Sequence, residues 1–185
     1  MPRTSDKRER LITAGRELIH SKGFNRTTLA DIAEASGVPL GNVYYYFRTK
    51  EALLDAVVSA QKDDFRERVA AFEKHGSPRA RLQAFLNSVI DSKEEIARYG
   101  CPIGSLSQEM NKSSGLSRAG ASEGLILRAQ WASEQFRALS RSDAQDLGVW
   151  LIASIQGVIL MANAMADPGV IERQLGQLKA WIDAF

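Results

Sequence analysis

Between Leu40 and Lys50 the chain reads Leu-Gly-Asn-Val-Tyr-Tyr-Tyr-Phe-Arg-Thr-Lys, a concentration of hydrogen-bond donors and cations suited to a phosphate backbone. Phenolic hydroxyls donate to phosphate oxygens, and Arg48 and Lys50 add positive charge. Three consecutive tyrosines cannot all face inward on a helix of about 3.6 residues per turn, so at least one presents its hydroxyl outward. Thr27 and Thr28 stand at the head of the preceding segment with two more hydroxyls, one of which is expected to cap a helix. The chemistry expected here is non-covalent contact with DNA. No Ser/His/Asp set or glycine-rich phosphate loop points to an enzyme. His20 and His75 stand alone, without companions at metal-ligand spacing, so no metal or cofactor is implied.

These donors need a frame. Thr27 to Glu51 reads as two short helices joined by a tight turn. A small residue at Ala33 permits close approach of the second helix, Gly37 suits a turn with positive φ, and Val43 returns to the shared core. Pro39 fits the first turn of the second helix, which is expected to run from about Pro39 to Phe47. The same spacing would also serve an ordinary helical hairpin; the polar outer face of the second helix favours a DNA-reading one.

The chain has 185 residues, 44% of them hydrophobic and 25% charged, values of a soluble globular protein. Residues 1 to 50 carry nine Lys/Arg against five Asp/Glu, and residues 51 to 185 carry fifteen against seventeen. The basic excess therefore accompanies the helical hairpin, as a polyanion-binding surface requires. A single cysteine forms no intrachain disulfide, and the charged stretch from Arg3 to Arg16 is unlike an apolar secretory signal; a cytoplasmic location is expected. The apolar run Trp150 to Ala166, interrupted by Ser154, Gln156 and Asn163, is expected to fall short of a membrane span.

Along the chain, Arg3, Lys7, Arg8 and Arg10 either reach toward a DNA backbone or form a solvated basic face. A first helix begins near Asp6, with Glu9 in a capping-box arrangement, and places Leu11, Ile12, Gly15, Leu18 and Ile19 on one side before Gly23 stops it. A long connecting helix covers Thr49 to Lys74, spanning roughly 37 Å at 1.5 Å per residue. Further helices are expected over Arg79 to Tyr99, Pro102 to Met110, Leu125 to Leu139, Asp143 to Met165 and Pro168 to Ala184. The first part of the Ser- and Gly-rich stretch from Asn111 to Gly124 is expected to be a mobile loop. This is an all-α chain of about nine helices, without strands, repeats or low-complexity tracts. The expected division is residues 1–48 for DNA binding and 49–185 for a helical effector-binding and dimerisation domain.

Asp143 to Met165 is apolar nearly all round, and such a helix must be covered on most sides. One layer from the same subunit covers one side only. Ala153 and Gly157, one turn apart, would let a second copy approach closely, with Leu160 on the same helix and Leu175, Leu178 and Trp181 on the last one. Two helices from each subunit would form a two-fold four-helix interface. The alternative is that they complete a monomer's core.

At Thr27 to Glu51 the sequence resembles the TetR family of bacterial transcriptional regulators. The resemblance rests on Thr28, Asp31-Ile32-Ala33, Ala35, Gly37-Val38, Gly41, Tyr44-Tyr45, Phe47 and Lys50-Glu51 with Leu53-Leu54. It implies an N-terminal three-helix domain that binds a palindromic operator, a C-terminal ligand-binding and dimerisation domain, and repression relieved by a small molecule. Carried over by position, Thr28, Tyr44, Tyr46 and Lys50 would hold phosphates, while Leu40, Gly41, Asn42 and Tyr45 would lie nearest base edges. Leu40 stands where many members have Lys, and Tyr46 where many have His, so base preference does not transfer.

Gly100-Cys101-Pro102-Ile103-Gly104 resembles a segment in one group of these regulators, some of which respond to quinones or electrophiles. Cys101 precedes an expected helix start, where the dipole favours a thiolate, although a lone cysteine is more often a small buried apolar residue. Candidate effector-contacting residues are Phe85, Val89, Tyr99, Cys101, Met110, Trp131, Gln135, Gln156 and Met161. Core packing explains the apolar ones equally well. The expected partners are double-stranded DNA, a second copy of the chain and a small-molecule effector of unknown identity, with no membrane. The rival functions are an activator or effector-independent regulator of the same fold, or a helical small-molecule-binding protein without DNA contact.

Overall fold

The computed structural model describes residues 4–112 and 118–185; Arg3 and residues 113–117 of the expected loop lie outside them. Ten helices occupy the described residues, with no strand among them: α1 (Thr4–Lys22), α2 (Leu29–Ser36), α3 (Leu40–Tyr46), α4 (Lys50–Phe72), α5 (Pro78–Ile90), α6 (Lys93–Tyr99), α7 (Pro102–Lys112), α8 (Arg118–Ala138), α9 (Ala144–Met165) and α10 (Pro168–Asp183). The all-helical expectation holds. The count exceeds nine because the stretch from Arg79 to Tyr99 is broken at Asp91 and Ser92. There the Ser92 amide turns back to the Val89 carbonyl at 3.2 Å, a tightened turn, before Ile96 resumes the ladder on Ser92. Neither glycine nor proline marks that break. Asp6 lies within the first turn of α1 rather than ahead of it.

The chain forms two compact units, Met1–Asp64 with Ser105–Ser122, and Phe65–Gly104 with Glu123–Phe185. This spatial division falls within α4, whereas the expected functional boundary lies just before that helix.

In the first unit, α2 packs on α1 and on α3. Leu11, Ile32, Val43, Leu53, Leu54 and Val57 form a fully enclosed centre, to which Leu106 and Met110 of α7 also belong. Gly15 allows α1 to meet α4: a Cβ there would stand 2.6 Å from Leu53 Cδ2. Phe24, just past the stop at Gly23, plugs this core as its position suggests.

In the second unit, α9 packs against α6 and α10, and α10 also covers α5. Leu151, Ile155 and Ile159 turn inward from α9, and Ile171, Leu175 and Ile182 from α10. Each such side chain contributes about 1.5–3 kcal/mol by leaving water. By length and composition α9 does suffice to cross a membrane, contrary to the sequence expectation. Its inner residues are nevertheless those of a core helix, buried among side chains of the same unit.

Candidate nucleic-acid interface and effector region

The reading surface is built from the turn upward. Thr28 caps α2: its hydroxyl accepts from the Asp31 amide at 3.1 Å and donates to Asp31 Oδ2 at 2.8 Å, while the Thr28 amide donates to the same carboxylate at 2.8 Å. The Thr28 hydroxyl, and after it the Thr28 amide, hold the Asp31 carboxyl below its ordinary titration range. Gly37 closes α2 in the left-handed conformation, φ 63°, where a side chain is strained. Arg10 of α1 donates to the Ser36 carbonyl beside this turn.

Pro39 stands at the head of α3 as its cap residue, and Val43 and Phe47 pin the helix to the core. What remains faces outward. Leu40, Gly41, Asn42, Tyr44 and Tyr45 are all exposed, Tyr45 by 78%. No atom outside its own helix and chain neighbours comes within 4 Å of a Cβ built on Gly41, so the backbone there is open to close approach. Tyr46 is half-buried, packed against the first core and edge-on to Tyr45 with ring centroids 5.1 Å apart. Of the three tyrosines, two are therefore exposed, Tyr44 and Tyr45.

Other positions differ from expectation. Thr27 is wholly buried and donates its hydroxyl to the Gly23 carbonyl at 2.7 Å, so it secures the bend after α1 and has no surface to offer DNA. Thr28 is exposed, but its proton is committed to Asp31 and reaches a phosphate only by leaving it. Lys50 is half-buried, with Nζ 4.2 Å over the Phe24 ring and 3.0 Å from the Phe24 carbonyl, an arrangement that uses one of its three donors. Arg48 is exposed at the end of the same surface. Arg8 lies over the Phe47 ring at 5.5 Å.

Among the candidate effector residues, Phe85 and Trp131 come together in the second unit, with Val89 packed against the same core, and Gln135 is buried one turn along α8 from Trp131. Phe65 and Phe72 of α4 join Phe85 and Trp131, with Phe65 and Phe85 at a ring distance of 6.2 Å. Cys101 also packs against this core, and it meets Gln156 around Gly104. The Gly104 amide donates to Cys101 Sγ at 3.2 Å, and a Cβ on Gly104 would collide with Gln156 Oε1. Met110 belongs to the core of the first unit, because the inner face of α7 is enclosed there, and does not join Phe85. Met161 is exposed on the outer side of α9. Tyr99 is half-buried beneath the Arg98 guanidinium at 5.0 Å. Asn163 donates to the Ala97 carbonyl at 3.0 Å, a partner within the subunit.

The proposed dimer face also sorts itself. Ala153, Gly157 and Leu160 are exposed on α9, together with Val149, Trp150 and Met165, which sequence reasoning did not single out. Leu175 and Leu178 are buried in their own subunit's core because α10 turns them toward α5 and α9, so they are withdrawn from that face. Trp181 is half-buried and meets Trp150 ring to ring, tilted by 48° with centroids 4.4 Å apart.

Comparison with known proteins gives these surfaces a context. Residues 11–57 match the model for bacterial regulatory proteins of the tetR family. The chain is 31% identical over 167 residues to the HTH-type transcriptional regulator LmrA of Bacillus subtilis, covering 85% of this chain and 86% of that one. It is 31% identical over 169 residues to the HTH-type transcriptional regulator BetI of Escherichia coli, covering 89% and 86%. The crystal structure of the regulatory protein TetR from Rhodobacter sphaeroides superposes with a TM-score of 0.82 at 25% identity, covering 93% of this chain and 96% of that one.

Proposed function

This chain belongs to the tetR family and is a DNA-binding transcriptional regulator, not an enzyme; on that premise we propose that it is a homodimeric repressor released from a palindromic operator by a small molecule. The observation that carries the proposal is the outward face of α3. Asn42 and Tyr45 project beside an unobstructed Gly41, with Tyr44 as a phosphate donor at its flank. Two copies of α3 would enter successive major grooves about 34 to 36 Å apart. The exposed apolar stripe along α9 supports the pairing of subunits, since Val149, Ala153, Gly157 and Leu160 recur at three- and four-residue steps. Release would act through α4, a single helix that carries Leu53, Leu54 and Val57 in one core and Phe65 and Phe72 in the other. A ligand that displaced the latter would act on the helix that follows α3.

Modification of Cys101 is a second trigger. It is favoured by one contact, the hydrogen bond from the Gly104 amide in the first turn of α7 to Sγ. Complete alkylation of Cys101 would then lower operator affinity; unchanged affinity excludes this trigger.

The test of the main proposal is duplex selection from random sequence followed by titration at increasing salt. Enrichment of a two-fold symmetric site is expected, with affinity falling steeply as salt rises because several phosphates are neutralised. An asymmetric site would exclude the dimeric arrangement, and salt-independent binding would exclude the phosphate contacts.

A further inference from the structure

Among the described residues, four polar side-chain atoms of the second unit are buried without a hydrogen-bond partner: Arg79 Nε and Gln83 Oε1 on α5, and, on α8, Trp131 Nε1 and Gln135 Oε1. Trp131 and Gln135 are each only 5% exposed. Four residues apart, they lie on the same side of the helix. Around Trp131 stand three phenylalanine rings, Phe85 at 5.4 Å, Phe72 at 5.6 Å and Phe65 at 6.2 Å between centroids. Core packing accounts for the rings. It does not account for an indole N–H and an amide oxygen that have both left water and met nothing, since each loses its solvation without compensation.

Resting on the effector reading above, we propose that this cluster is where the effector binds, and that the effector is an uncharged, flat aromatic compound carrying one hydrogen-bond acceptor and one donor. The acceptor would take the Trp131 N–H, and the donor would serve Gln135 Oε1. Phenylalanine and indole rings favour a partner that stacks offset or meets them edge-on. A cationic ligand is disfavoured because the Arg128 guanidinium already lies over the Phe65 ring at 4.2 Å, while its Nη1 donates to the Gly124 carbonyl at 2.8 Å. An anion could accept from the indole N–H but would leave Gln135 Oε1 without a donor, and the Arg128 guanidinium is already engaged with the Phe65 ring and the Gly124 carbonyl.

The experiment is calorimetric titration of the full chain with 4-hydroxyacetophenone, which carries both groups, and with acetophenone and 4-ethylphenol, which lack the hydroxyl and the carbonyl respectively. The complete probe is expected to bind at least tenfold tighter than either. Gln135→Leu should erase its advantage over acetophenone while leaving acetophenone binding intact, and Trp131→Phe should erase its advantage over 4-ethylphenol. Urea unfolding serves as the control: Gln135→Leu should be at least as stable as the parent, because an unmatched buried amide is exchanged for an alkyl group of similar size. If Trp131→Phe unfolds, the leucine variant carries the test alone. No binding of any probe at millimolar concentration, or equal loss for all three in Gln135→Leu, overturns the site. Duplex binding in the same samples separates the two readings. Probes that bind without releasing DNA refute the effector role and leave the site standing, whereas release by compounds indifferent to Gln135→Leu refutes the site alone.

Discussion

The carboxylate of Glu109 on α7 accepts hydrogen bonds from the backbone amides of Phe24, at 2.9 Å, and its neighbour Asn25, at 2.7 Å. The Phe24 carbonyl meanwhile accepts from Lys50. The bend between α1 and α2 is thus held from both sides of one residue by side chains distant in sequence. Glu109→Ala should cost about 1.5–3 kcal/mol, the range for hydrogen bonds to a charged group. Urea denaturation measures it, and an unchanged midpoint would mean that the bend is secured without Glu109.

Tyr44 and Asn42 should separate affinity from preference. Tyr44→Phe removes a hydroxyl that any sequence can accept, so binding should weaken evenly across duplexes. Asn42→Ala removes an amide that a base edge can distinguish, so the ranking of operators should change by about 1–3 kcal/mol at one position. Competition binding on a panel of operators reads both; uniform effects from both variants would show the reading face misassigned.

Gly41→Ala isolates the approach of DNA from the state of the protein. The folded chain has room for the methyl group. Helix propensity alone should then raise stability by about 0.5–1 kcal/mol. Operator affinity should fall nonetheless, because the added carbon stands where a base edge would come. Equal or higher affinity would place the DNA elsewhere.

Leu160 and Leu175 offer a matched pair. Leu160 is 64% exposed and Leu175 is fully buried. Leu160→Glu should leave the fold intact and yield single chains by light scattering. Leu175→Ala should instead cost about 2–5 kcal/mol of stability, as for other buried leucines. A dimer that survives Leu160→Glu would move the interface away from α9.

Asp31 gives a pH dependence with a definite sign. Its carboxyl is held below its ordinary range by the Thr28 hydroxyl and amide, so the unfolded chain takes up the proton first as pH falls. The stabilisation is therefore present above the ordinary carboxylate range and is lost on acidification through the depressed value. Thermal melts from neutral to strongly acidic pH should show a smaller acid loss for Thr28→Val than for the parent.

How much of this was legible depends on how local the physics is. The turn from Thr28 through Gly37 to Val43 was readable because a cap hydroxyl, a left-handed glycine and an inward valine act within one or two turns of themselves. Thr27 and Thr28 are equivalent by type, and only the fold decides that one hydroxyl goes to Gly23 and the other to Asp31. Periodicity likewise groups Leu175 and Leu178 on one face of α10 without saying whether that face meets its own subunit or another. The break at Asp91 and Ser92 carries no glycine or proline, so nothing in the local sequence announces it. Partnerless atoms such as Trp131 Nε1 are a property of packing and have no signature in sequence at all.

With seven residues, α3 is too short to hold its shape as a free peptide. Its form is on loan from Val43 and Phe47, which sink into the layer beneath. Warming that loosens the layer would therefore blank the whole lettered side together rather than blur it tyrosine by tyrosine, and operator occupancy should vanish over the same few degrees in which that unit melts.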